Sequence, residues 1–368
     1  MSNDLLYQVA LTLVPHIGPV QARILVNHFG DAAAIFKAKK ASLDKLEGVG
    51  EIRASSIKTF AGFKKAEEEL AFVSQYKITP LFLTDVAYPQ RLLNCYDPPT
   101  LLYYRGNANL NASRIIAIVG TRSKTDYGKY LTEKLLADLQ DQHIIVVSGL
   151  ALGIDAIAHR AAIKHALPTI AVVAHGLDKI YPVENAGLAK DIIREDGGLL
   201  TEFGSKTKPD KHHFPSRNRI VAGMSDATIV IETAVKGGSM ITAELANDYN
   251  KDVFAFPGRT TDGKSAGCNH LIRNNKAMLL TGAQDLTALL GWQEKPRLQE
   301  KRQRELFIQL TSEEKIITGL LEEKGTLAID ELNLKSNLSS SRVAAALLNL
   351  ELQNIIASLP GKRYQLLS

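Results

Sequence analysis

Apolar residues recur three and four apart over residues 5–14, the spacing of one face of a helix, until Pro15-His16-Ile17-Gly18-Pro19 interrupts them. The pattern resumes over 19–29, with Ala22, Leu25, Val26 and Phe29 inward. It returns after Leu46-Glu47-Gly48-Val49-Gly50 in a helix running through Ile57. Short apolar helices joined by glycine turns predict a small helical domain over 1–76. From 77 the pattern changes. Runs at 115–119, 144–147, 169–174, 228–231 and 253–256 are apolar without polar alternation, as in strands buried on both faces. Helical spacing at 127–139, 154–165, 186–195 and 240–249 separates most of them. This alternation predicts a doubly wound α/β domain over 77–290, with edge strands at 199–203 and 277–280 and a further run at 78–83. A charged, glutamine-rich stretch with Pro296 then reads as a linker over 291–310. Helical spacing near 312–323, 329–334 and 340–353, followed by a hairpin around Pro360-Gly361, predicts a winged helix over 311–368.

Composition narrows the class. A chain of 368 residues, 45% hydrophobic and 23% charged, has room for two or three globular domains. No apolar run reaches the roughly 20 residues of a membrane span, and residues 1–10 lack the basic cluster of a signal peptide. Cys95 and Cys268 are far apart and show no metal-ligand spacing, which points to a reduced, cytoplasmic compartment. The formal charge of +5 is spread over the chain, so a polyanion would need a local cluster. The densest is 205–219, where Lys206, Lys208, Lys211, Arg217 and Arg219 face one acid, Asp210, around one ring, Phe214.

Candidate chemistry collects where the strands end. Gly120-Thr121-Arg122 follows the first core run, Ser148-Gly149 to Gly153 the second, and His175-Gly176 the third. Gly237-Gly238-Ser239 and Pro257-Gly258-Arg259 follow the last two. Ligands of open α/β sheets sit outside the carboxyl ends of the strands, and glycine-opened helix N-termini favour phosphate. Several chemistries are unsupported. There is no G-x-x-x-x-G-K-[ST] loop and no G-x-G-x-x-G with a following acid. His212-His213 lacks metal-site spacing, and Ser239 has no histidine base near it in sequence. No cofactor is implied.

The motifs V-G-T-R (119–122), S-G-L-A-x-G-I-D-x-x-A-H (148–159), G-L-D-x-x-Y-P-x-x-N (176–185), F-P-x-R-N-R-I (214–220), G-S-x-x-T-A (238–243) and A-x-P-G (255–258) stand in fixed order. Through them the chain resembles the DNA-processing protein A family, also called Smf, nearly continuously over 77–290. The resemblance implies an extended Rossmann-like, mainly parallel sheet between an N-terminal helix-hairpin-helix (SAM-like) domain and a C-terminal winged helix. It also implies a homodimer without catalytic activity that binds single-stranded DNA, protects incoming DNA in natural transformation and passes it to the RecA recombinase. Arg122, Lys211 and Phe214 match the family's DNA-contacting arginine, lysine and ring, with Gly120 leaving room beside the arginine. Arg217, Asn218 and Arg219 read as the start of a helix favouring phosphate. Ser148, Gly149, Gly238, Ser239 and Thr242 complete the expected DNA-binding set.

Three further expectations follow. The second glycine hairpin, around Gly48 and Gly50, fits a phosphate-holding turn, whereas Pro19 costs the first one an N–H donor. The third winged-helix helix offers only Arg342 beside alanines and leucines, a poor surface for reading bases, although Lys362-Arg363 could touch phosphate. Two competing readings stand beside DNA binding. One is a nucleoside-monophosphate phosphoribohydrolase of the LOG type, built on Gly237-Gly238 and Glu244, although Met240 and Ile241 depart from that motif. The other is a pure protein adaptor.

Overall fold

The computed structural model describes the chain except residues 1–2, 294–309, 354, 360 and 368. It divides into two compact units, Met1–Trp292 and Gln293–Ser368. Most of the expected linker, and Pro360 of the expected hairpin turn, lie outside the described residues.

The first unit opens with six helices: α1 (Asn3–Leu13), α2 (Pro19–Phe29), α3 (Ala32–Lys37), α4 (Lys40–Asp44), α5 (Gly50–Lys58) and α6 (Phe63–Gln75). Their apolar faces close over Ala22, Leu25, Ile35, Leu43 and Ile57, all buried. Gly48 and Gly50 adopt φ of +82° and +65°, the left-handed conformations that let the second hairpin turn within four residues. Arg53 ties the hairpins together by donating to the carbonyls of His16 at 3.1 Å and Gly48 at 3.3 Å.

A nine-stranded sheet follows, formed by β1 (Thr79–Phe82), β2 (Leu101–Gly106), β3 (Ile115–Val119), β4 (Ile145–Ser148), β5 (Thr169–Val172), β6 (Gly198–Thr201), β7 (Ala227–Val230), β8 (Asp252–Ala255) and β9 (Met278–Leu279). Their spatial order is β1-β2-β6-β5-β4-β3-β7-β8-β9. The strands from β6 to β9 run parallel, while β2 pairs antiparallel with β6 and with β1. The mainly parallel α/β fold is as the sequence predicts, but β2 has no counterpart in that reading. Pro98-Pro99 and the single charge of Arg105 hide a strand whose Leu101 to Tyr104 are all buried.

The helices between strands are α7 (Gln90–Leu93), α8 (Asp126–Asp138), α9 (Ile154–Lys164), α10 (Ala186–Arg194), α11 (His213–Gly223), α12 (Gly238–Asp248) and α13 (Ala266–Arg273), and α14 (Ala283–Leu289) follows β9. Successive residues of β3 point to opposite faces. Ile116 and Ile118 join a core with Leu131, Leu135 and Ile157 of α8 and α9, whereas Ile115, Ala117 and Val119 join the core shared with the N-terminal helices. The chain leaves β3 toward β4, β5 and β6 on one side and returns to β7, β8 and β9 on the other. The strand order therefore reverses beside β3, and the crevice at the carboxyl ends of β3, β4 and β7 is where open sheets of this kind hold ligands.

The second unit packs α15 (Ser312–Lys324), α16 (Ile329–Ser336) and α17 (Ser340–Leu352) against a sheet ordered β10 (Leu327–Ala328), β12 (Arg363–Leu366), β11 (Ile356–Leu359). Its core of Ile317, Leu321, Leu332, Val343, Leu347 and Ile356 is its own. Three helices and a small sheet make the winged helix expected. No described helix is long and apolar enough to cross a membrane.

Candidate nucleic-acid interface

The loop after β3 is held from below. Glu232, at the end of β7, is buried, and its carboxylate accepts from the Thr125 amide at 3.1 Å and from the Thr125 hydroxyl. The Glu232 carbonyl accepts from the Thr121 amide at 2.8 Å, and the Thr121 carbonyl accepts from Ile154 at 3.2 Å. Thr121 and Thr125 are thereby pinned, and Arg122, Ser123 and Lys124 between them are exposed. Gly120 also has a packing use beside the one expected. A Cβ there would come within 2.6 Å of Ile154, so its missing side chain seats the first turn of α9.

Beside this loop lies a cleft of about 450 Å³. Gly120, Thr121 and Arg122 form one wall. Gly237, Gly238, Ser239 and Thr242 at the start of α12 form the opposite one, and Lys211, Phe214, Arg217 and Asn218 close it. Nine of the twelve residues singled out from sequence thus line this crevice, and a tenth, Gly149, lines a small cavity that adjoins it. The first turn of α12 leaves backbone N–H groups without helical acceptors, and its dipole favours an anion. Lys211 is exposed. Phe214 is half-buried, and the Arg122 guanidinium lies 5.2 Å from its ring centroid, a cation–π contact. Among the described residues neither Arg122 nor Lys211 is in a salt bridge.

The floor carries a buried ion pair. Arg217 Nη1 lies 3.7 Å from Asp155 Oδ2, both side chains are more than nine-tenths buried, and Asp155 also accepts from the Ala151 amide at 3.3 Å. Burial pushes the Asp155 carboxyl above its usual range while Arg217 pulls it back. Burial lowers the Arg217 guanidinium, Asp155 opposes that, and the like charge of Arg122 adds to it. Gly149 is the seat of this pair, because a Cβ there would fall on the Arg217 guanidinium. Nearby, His159 Nδ1 donates to the Thr169 hydroxyl at 2.7 Å, since that hydroxyl donates to Val146. Burial depresses His159 to about 3, so the ring is neutral.

Two expected contacts are corrected. Ser148 is fully buried, and its hydroxyl donates to the Ile118 carbonyl at 2.7 Å, which leaves nothing for a phosphate. Arg219 turns away from the cleft to the Asp97 carboxylate at 3.1 Å and the Glu202 carboxylate, with Tyr249 donating to Asp97 at 2.6 Å. The reason lies in the helix. It begins at His213, not at Arg217, so residues 217–219 occupy its second turn, where backbone N–H groups are already used. Asn218 lines the cleft but donates to the Gly238 carbonyl at 3.4 Å, bracing α11 against α12. Ser239 donates to the Thr233 hydroxyl at 2.8 Å. Sequence reasoning passed over Asp155, Thr121 and Thr233. Asp155 stands inside a quoted motif, but only the fold shows that it meets Arg217.

Asp155 is the one carboxylate lining the cleft among the described residues. Glu244 lies on the exposed face of α12, 3.9 Å from Lys276. Among the described residues no histidine, cysteine and carboxylate cluster could hold a metal. In the first hairpin, the Gly18 amide donates to the Gln21 side chain at 3.2 Å, so that glycine is already occupied. Arg342 on α17 lies 3.9 Å from Glu313.

Comparison with known proteins agrees with this architecture along the chain. The family model for DNA recombination-mediator protein A matches residues 79–291, that for a DprA winged helix domain residues 305–362, and that for a helix-hairpin-helix motif residues 8–69. Protein Smf of a Synechocystis species is 33% identical, with 99% of each chain covered. DNA processing protein DprA of Streptococcus pneumoniae is 43% identical over 58% of this chain and 74% of its own. The X-ray structure of the S. pneumoniae protein superposes with a TM-score of 0.64 at 34% identity, covering 78% of this chain and 98% of that one. DNA processing protein A from Helicobacter pylori, described for its unique single-stranded DNA binding mode, gives 0.53 at 33% identity, covering 59% and 97%.

Proposed function

This chain belongs to the DNA recombination-mediator protein A family, and from that premise we propose that its cleft binds single-stranded DNA. In this reading the protein is a cytoplasmic homodimer without catalytic activity that protects incoming DNA and promotes loading of the RecA recombinase in natural transformation. The observation that carries the DNA-binding part is the grouping of Arg122, Lys211 and Phe214 on one cleft that faces the N-terminus of α12. Cations supply phosphate contacts and a ring supplies a stacking surface, which together grip a strand without reading base pairs. The H. pylori relative's single-stranded DNA binding supports the same assignment here. The RecA and dimer partners are supported by family membership alone.

A nucleotide-hydrolase reading needs an acid positioned at the glycosidic bond. Glu244 stands outside the cleft, and Asp155 is engaged by Arg217. Release of adenine from AMP by the pure protein would reinstate that reading. The test of DNA binding is fluorescence anisotropy of the full chain with a thymidine 20-mer. Arg122→Ala should weaken binding about tenfold to a hundredfold for every sequence tried and should shallow the salt dependence by about 0.7 in logarithmic slope. Unchanged affinity would remove the cleft from consideration.

A further inference from the structure

Arg259 follows the last of the core runs in sequence, yet it lies outside the cleft. The turn that bears it, residues 257–265, is braced from within and from α13. Asn269 donates to the Gly258 carbonyl at 2.9 Å and accepts from the Gly258 amide at 3.2 Å. The Asp262 carboxylate accepts from the Lys264 amide and from the Ser265 hydroxyl, both at 3.0 Å.

This turn touches both the loop that carries Arg122 and the helix after it. Lys264 Nζ donates to the Ser123 hydroxyl at 3.2 Å. The Tyr127 hydroxyl, in the first turn of α8, donates to the Pro257 carbonyl at 3.5 Å. Just beyond the turn, the Gly267 amide donates to the carbonyl of Thr233, a residue of the cleft wall. The turn, the loop after β3 and the first turns of α8 therefore make one continuous surface that begins where the cleft ends.

The chemistry of that surface repeats the chemistry of the cleft. Lys124 and Arg259 are exposed, and Lys264 is half-buried. Among the described residues none of the three is in a salt bridge. Tyr127 is 49% exposed and Tyr130 57% exposed, and a spacing of three puts them on one face of α8. Two acids stand in these segments. Asp262 is engaged inside its own turn, and Asp126 sits in the first turn of α8, where the helix dipole favours it. Free cations beside exposed rings suit a strand that offers phosphates and unpaired bases together. A duplex keeps its base faces in its own stack and would gain nothing from the tyrosines.

We propose that single-stranded DNA leaves the cleft over this surface, with Arg259 and Lys264 holding its phosphates and Tyr127 and Tyr130 stacking its bases. This rests on the single-stranded DNA reading above and assigns to the same strand residues that lie outside the cleft. Arg122, Ser123 and Lys124 form the crest between the two parts, and the cation at each end of it lets the backbone cross.

The experiment measures anisotropy of the full chain with a thymidine trimer, a thymidine 20-mer and an all-abasic deoxyribose-phosphate 20-mer. The trimer is short enough for the cleft to hold alone. Arg259→Ala combined with Lys264→Ala should lose about tenfold affinity for both 20-mers and shallow their salt dependence by about 1.4 in logarithmic slope, about 0.7 for each phosphate. The trimer should bind this double variant as it binds the wild type. Tyr127→Ala should lose about tenfold affinity for the thymidine 20-mer and none for the abasic one, while Tyr127→Phe keeps wild-type affinity for both. Equal thermal midpoints check that the variants are folded. The track is overturned if the double variant binds the 20-mers unchanged, or loses as much on the trimer. Equal Tyr127→Ala losses on the thymidine and abasic strands overturn it as well. Arg122→Ala separates the two readings. If it weakens every strand while the double variant weakens none, only the track fails; if it weakens none, the DNA-binding cleft fails and the track with it.

Discussion

Gly149 and Gly238 look alike in sequence, since each follows a strand of the core, yet the structure gives them opposite uses. A side chain at 149 would fall on the Arg217 guanidinium and break a buried ion pair, whereas a Cβ at 238 meets nothing within 4 Å. That difference depends on which helix lies across each loop, which spacing along the chain does not contain. The same limit explains why Arg219 reads as a DNA contact and is instead tied to Asp97 and Glu202, both distant in sequence. By contrast Arg122, Lys211 and Phe214 do line one cleft, and among the described residues neither cation is in a salt bridge. The open space at 238 makes a sharp prediction. An acid at the N-terminus of α12 is favourable to the helix dipole, so Gly238→Asp should leave stability unchanged or raise it by about 0.3–1 kcal/mol. A phosphate held at the same N-terminus would be repelled, so affinity for single-stranded DNA should fall tenfold or more. Denaturant titration and anisotropy on one preparation read the two effects. Loss of stability together with affinity would place the glycine's role in folding, and unchanged affinity would place the phosphate elsewhere.

At the scale of elements, the basic loop of 204–211 is braced by a helix from the other end of the first unit. Glu69 of α6 accepts from the Ser205 amide at 2.9 Å and from its hydroxyl at 2.6 Å. Asp178 accepts from the Lys206 amide at 3.0 Å, and Gly176 donates to the Thr207 carbonyl at 3.2 Å. A loop rich in lysine, read from sequence as part of the densest basic cluster, is therefore fixed at its near end, and Lys211 leaves from a defined place. The parallel strands and their helices were legible because burial on both faces writes continuous apolar runs. The brace was not, because a single carboxylate on an exposed helix face carries no periodic signal. Glu69→Ala should leave the sheet intact but unsatisfy the Ser205 amide, at a local cost of about 1–3 kcal/mol. Hydrogen exchange at 205–207 should then quicken about tenfold to a hundredfold, while exchange in β3 and β4 stays as it was. Equal protection in variant and wild type would mean that Asp178 and the loop's own bonds suffice.

For the whole molecule, the change of pattern near residue 77 marks a change of element type more clearly than a break in the core. One continuous set of buried side chains runs from Val9, Leu25 and Ile57 through Phe82, Tyr88 and Leu102 to Ile115, Val221 and Val253. The N-terminal helices and one face of the sheet therefore bury each other, and Glu69 adds a polar tie between them. The winged helix, in contrast, closes over its own Ile317, Leu332 and Leu347. Cooperative units follow buried surface more than changes of pattern. A fragment of residues 77–290 should consequently melt about 10 °C or more below a fragment of residues 1–293 and aggregate through the face it exposes. Residues 310–368 should show a separate, reversible transition of their own. Calorimetry of the three fragments beside the full chain decides the matter. If 77–290 melts with 1–293, the helices are an appendage to a self-sufficient sheet, and the DNA-binding cleft needs nothing from them. If it melts far below, the helical segment is part of the scaffold that keeps Arg122, Lys211 and Phe214 in register.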